Sequence, residues 1–145
     1  MHETVRPRLA TTLKRIQERA PNSRIVMMGH PRLLTGATCA NINEQNKTWL
    51  NGLADMLAAE MAGAVADANA LHGTRAVFSD PRDEFEGRGI CGDPEGIHGI
   101  ILTGHSQADL GVNSSKSFHP NIHGATLYTD SLEATLRSSG QRTSR

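Results

Sequence analysis

Two short apolar runs, "RIVMMGH" over 24–30 and "RAVFSD" over 75–80, flank a long stretch of helical periodicity. This arrangement constrains the fold more than any other feature of the chain. An apolar run without polar alternation has two faces to bury, which predicts a central parallel strand covered on both sides. Between the runs, from about Asn46 to Leu71, Trp49, Leu50, Leu53, Leu57, Met61, Val65 and Ala68 form one apolar stripe, and Gly73 ends it. Before the first run, "TVRPRLATTLKRIQERAP" places Val5, Leu9, Leu13 and Ile16 at helical spacing. Thr4 is its expected N-cap, Pro7 is tolerable in the first turn, and Pro21 stops it. A last helix is expected over "NIHGATLYTDSLEATLR", with Ala125, Tyr128, Leu132 and Leu136 on one face and Asn121 as N-cap. Residues 138–145 read as a flexible tail. The order helix, strand, helix, strand, long loop, helix argues for an α/β fold, a parallel sheet with helices on both faces.

Length and charge narrow the partners. A chain of 145 residues suits one domain. At this size roughly two-thirds of the unfolded surface can be buried, so a self-sufficient core is possible. A formal net charge of zero gives no electrostatic case for nucleic acid, whose affinity depends on cations neutralising phosphates. No apolar run approaches the roughly 20 residues that span a bilayer. The opening "MHETVRPRLA" has no apolar stretch of the signal-peptide kind, so no export is expected from it. Cys39 and Cys91 remain thiols in a reducing compartment or pair in an oxidising one, and composition leaves both open.

In parallel sheets, ligands bind beyond the C-terminal ends of the strands. Here those ends are "MGHPR", the "SDPRDEF" turn and the long loop from Pro81 to Asn121. Irregular segments of that length are uncommon unless functional. His119 stands just before the last helix, where a general base would be presented. Ser106, in "TGHSQA", resembles the strand–turn–helix elbow that carries a hydrolase nucleophile. No apolar helix follows it, which weighs against that role. Asp80, Asp83 and Glu84 offer carboxylates for orienting a base, although an acidic turn facing solvent explains them better. A zinc site would need His119 and His123 with both cysteines, but Pro120 interrupts the helical spacing and the cysteines lack a CxxC pattern.

Several collinear blocks resemble one family. "SFHPN", followed by Gly124 and a final helix, is similar to the last block of the SGNH hydrolases, the GDSL-type lipases and esterases. "RLATTLKRIQERAPNSRIVMMGHPRLL", "CANINEQNKTWLNGLADMLAAEM" and "AVFSDPRDEFEGRGICG" resemble earlier blocks of its secreted actinobacterial type. The resemblance covers about residues 5–137, so residues 1–137 are expected to form the C-terminal part of such a domain. It implies a three-layer α/β/α, flavodoxin-like sheet, incomplete here, and hydrolysis of lipid or small acyl esters without metal or cofactor. His119 would be the general base. The family's Gly-Asp-Ser-type nucleophile block and oxyanion blocks have no counterpart in these residues, so the chain alone is expected to be inactive or nearly so. "GVNS" over 111–114 is only a chance likeness to one of them.

Departures from the pattern carry their own expectations. Lys116 stands where most members have the Asp that orients the base; its backbone carbonyl is the expected substitute acceptor. Arg88 and Gly96 stand where the family often has His and Trp. The family's cysteines at these two blocks imply a Cys39–Cys91 disulfide. Lacking the earlier strands, the sheet would expose an edge open to self-association.

Overall fold

The structure, a computed structural model, describes residues 2–36, 39, 42–103, 112, 113 and 115–141. Helix α1 spans Val5–Arg19, strand β1 Ile25–Met28, helix α2 Glu44–His72 and strand β2 Ala76–Ser79. Two short strands follow, β3 Leu102–Thr103 and β4 Val112–Asn113, and helix α3 spans Ile122–Gln141. The two apolar runs pair in parallel, with Ile25 opposite Ala76 and Met28 opposite Ser79. β3 and β4 form a separate antiparallel pair. The fold class is therefore α/β as expected, around a two-stranded parallel sheet among the described residues.

Small residues set the spacing between the first two helices. Ala10 and Leu13 of α1 meet Ala64, Val65 and Ala68 of α2, and this cluster closes over Ile25 and Ala76 of the sheet. The Arg6 guanidinium grips Asp67 with two bonds of 2.6 and 2.8 Å, tying α1 to α2 beside that cluster. Asn43 caps α2 by accepting from the Asn46 N–H at 2.8 Å, and Gly73 ends it in the left-handed region at φ 63°. Across the sheet, α3 covers β2 through hydroxyls. Ser79, fully buried, bonds Ser131 and Thr135 at 3.1 and 3.0 Å.

Several expectations shift. Trp49, expected in the α2 stripe, is 63% exposed; the stripe that packs is Ala58, Met61, Ala64, Val65 and Ala68. Ala125 of α3 is exposed, while Leu127 and Ser131 face inward. The rotation follows from Gly124, which turns toward the loop before it. Thr4 flanks α1 without a side-chain cap. α3 runs through Gln141, past the expected boundary at 137, and residues 142–145 lie outside the described residues. In β1 only Ile25 is buried, and Val26, Met27 and Met28 are half-buried. The strand is less covered than its apolar run demands.

Residues 81–103 of the long loop are not open. Leu34, Cys39, Phe85, Ile90, Ile97 and Leu127 form a second core. Its backbone is satisfied locally: Leu34 and Ile90 form a parallel bridge, Ile97 and Pro120 an antiparallel one. Cys39 and Cys91 are joined by a disulfide across a sequence separation of 52 residues. Closing a loop of that length contributes roughly 3–4 kcal/mol by restricting the unfolded chain. Replacing both cysteines by serine is expected to lower the unfolding free energy by about that amount, measured by urea denaturation of the oxidised chain and the double variant.

Candidate active site

His119 sits on a turn fixed from two sides. Ser117 is buried, and its hydroxyl clamps Ile101, accepting from the Ile101 N–H at 2.9 Å and donating to the Ile101 carbonyl at 3.2 Å. The Phe118 N–H donates to the His98 carbonyl, and the His98 N–H donates to the His119 carbonyl, both at 2.9 Å. Between these anchors Phe118 has a φ of 62°, a left-handed conformation that a bulky residue rarely adopts. It persists because both neighbours are held.

This turn sets the imidazole. His119 Nδ1 lies 3.0 Å from the Ser117 carbonyl oxygen. A carbonyl only accepts, so Nδ1 carries the proton and Nε2 is the accepting nitrogen of the ring. The expected acceptor, the Lys116 carbonyl, is used differently: it takes the His119 backbone N–H at 3.1 Å. A turn at Phe118 brings the next carbonyl, not that of Lys116, under the ring. Sequence spacing carries no signal for this, because nothing marks a phenylalanine for a positive φ.

Helix α3 begins shortly after His119. Asn121, its expected N-cap, accepts from the Gly124 N–H at 2.9 Å, and its amide donates to the Glu95 carbonyl at 2.7 Å. The Asn121 N–H donates to the Gly96 carbonyl at 3.1 Å. A shallow groove at His119 is lined by His98, Lys116, His119, Ile122 and His123, with Ile122 90% exposed at its rim.

The other candidates fall apart from this centre or outside it. Ser106 lies outside the described residues. Asp80 is committed to the Arg82 guanidinium, with bonds down to 2.6 Å, and not to the base. Among the described residues no hydroxyl is hydrogen-bonded to His119 Nε2; the nearby Ser117 hydroxyl is spent on Ile101. Among the described residues no group of three or more His, Cys, Asp or Glu is placed to hold a metal ion, and the disulfide occupies both sulfurs. Among them, no helix is long and apolar enough to cross a membrane.

Carboxylates near the strand ends and along α2 are electrostatically tuned. A side-chain hydrogen bond from Arg82 holds Asp80 below the ordinary carboxylate value, and one from Arg6 does the same for Asp67. Burial pushes Asp55 up, but bonds from Arg32 and Arg82 outweigh it and leave Asp55 lowered. Depressed folded-state values mean stability that is present above the unfolded value and lost as pH falls through the folded one. Stability is therefore expected to fall progressively as pH drops below the ordinary carboxylate range, and an Asp55→Asn, Asp80→Asn variant should show a shallower loss, followed by urea midpoint against pH.

No family model matches the chain. It is 29% identical over 113 residues to lipase 1 of Streptomyces coelicolor, covering 76% of this chain and 40% of that protein. It is 27% identical over 129 residues to a lipase of Streptomyces rimosus, covering 87% and 46% respectively. Among solved structures, phospholipase A1 of Streptomyces albidoflavus matches with a TM-score of 0.69 at 26% identity, over 91% of this chain and 51% of that one. The extracellular lipase of Streptomyces rimosus matches in fold with the same TM-score and coverage at 24% identity. The chain thus spans about half the length of the relatives it matches.

Proposed function

We propose that this chain, which resembles the GDSL/SGNH-type lipases over part of their length, supplies the general base of a carboxylic-ester hydrolase, with His119 in that role. The observation that carries the reading is the imidazole pinned through Nδ1 to the Ser117 carbonyl, with Nε2 turned to other work. A serine hydroxyl hydrogen-bonded to Nε2 gives up its proton there as its oxygen adds to the ester carbonyl. The imidazolium, held by the Ser117 carbonyl, then returns the proton to the departing alcohol, leaving an acyl-enzyme for water to cleave. The lipase and phospholipase relatives support a lipid or small acyl ester as substrate.

That serine comes from a Gly-Asp-Ser-type block, which the 145 residues do not contain, so the chain by itself is inactive or nearly so. Purified protein is expected to hydrolyse p-nitrophenyl butyrate no faster than buffer. Joined to a segment bearing such a block, it should gain turnover that His119→Ala lowers by roughly 10²–10⁴-fold. Robust turnover of the chain alone, abolished by Ser106→Ala, overturns this reading in favour of the elbow serine.

A second reading, assembly without catalysis, is favoured by β1. Among the described residues this strand pairs only with β2 and leaves three apolar residues half-buried. Such an edge recruits another chain. Size-exclusion chromatography is expected to give a dimer or larger species; a monodisperse monomer removes this reading.

A further inference from the structure

We propose that His123, on the wall of the groove that His119 lines, and Arg88, bonded to it, bind an oxyanion, a phosphate or carboxylate of the kind an ester substrate carries on its polar end. The proposal extends the ester-hydrolase reading by giving the substrate an anionic group.

Three arginines among the described residues are half-buried: Arg6, Arg82 and Arg88. Arg6 is paired with Asp67, and Arg82 with Asp80 and Asp55. Arg88 has no carboxylate within ion-pair distance among the described residues. Its Nη1 instead meets His123 Nε2 at 3.1 Å. A guanidinium only donates, so His123 Nε2 accepts and the neutral ring carries its proton on Nδ1. His123 is thereby fixed as a donor backed by a permanent positive charge, and it lines the same groove as His119. Among the described residues no Asp or Glu lines that groove, whereas Lys116 does. A half-buried cation bonded to a groove-lining histidine, with no carboxylate of a described residue in ion-pair distance, suits a ligand that brings the negative charge. Arginine's planar fork matches phosphate and carboxylate alike. The chain places Arg88 there deliberately in a physical sense: the Arg88 carbonyl accepts from Gly96 N–H at 2.7 Å, in the same loop that supports α3.

The test is a titration of the 145-residue chain followed by the ring ¹H–¹³C signals of its seven histidines, assigned with His119→Gln and His123→Gln. The probes are sn-glycerol 3-phosphate, inorganic phosphate and neutral glycerol. The first two are expected to shift the His123 and His119 signals saturably, and glycerol to shift neither. Tighter binding of glycerol 3-phosphate identifies a substrate head group as the source of the oxyanion; equal binding identifies the free anion. Arg88→Gln should weaken binding by about tenfold or more, the change worth about 1.4 kcal/mol. Arg88→Lys, which keeps the charge without the fork, should fall between. If Arg88→Gln loses its circular-dichroism signature, Arg88→Lys and His123→Gln carry the comparison. No saturable shift, or affinity unchanged in these variants, overturns the proposal. Binding is read without turnover, so this outcome and that of the ester assay are independent.

Discussion

The seam between residues 95–98 and the start of α3 is the constraint on which the site depends. Gly124 faces the Gly96 carbonyl so closely that a Cβ there would run into the carbonyl oxygen. Asn121 closes the same seam, reaching the Glu95 and Gly96 carbonyls while capping the helix. One side chain thus satisfies an orphan helix donor and a loop acceptor at once. Because His98 is next along that loop and exchanges backbone bonds with Phe118 and His119, the position of His119 is set by helix, loop and turn together. The loop in turn rests on the second core, where Ile97 is 2% exposed and Phe85 meets Tyr128 edge-on at 5.0 Å.

Periodicity resolved what depends on local pattern. The three helices, the two parallel strands, the stop at Gly73 and the cap at Asn121 were all readable, because capping and apolar spacing are properties of short segments. Faces were read less well. Trp49 belongs to the apolar stripe by spacing, yet stands in solvent, while the alanines that pack are too weakly apolar to mark a stripe. The second core was illegible for a different reason. Leu34, Phe85, Ile90, Ile97 and Leu127 share no period, and only the folded loop brings them together.

The site shows the same division. The cysteine pairing was legible by resemblance. The acceptor under the His119 ring was not legible, since it depends on one backbone angle at Phe118. Arg88 and His123 are separated by 35 residues, and each alone is an ordinary surface type. Their pairing follows from Gly124: with that glycine turned to the loop, the preceding residue of α3 is brought beside the Arg88 segment.

A base oriented by a backbone carbonyl differs physically from one oriented by a carboxylate. The carbonyl fixes the tautomer but brings no full negative charge to stabilise an imidazolium. Where a carbonyl stands in for a carboxylate, the positive charge that forms on the ring during proton transfer has only the carbonyl dipole to meet it. On the proposed function, an anionic group of the substrate, held in the groove that His119 and His123 share, would bring that missing negative charge and would act only while it is bound.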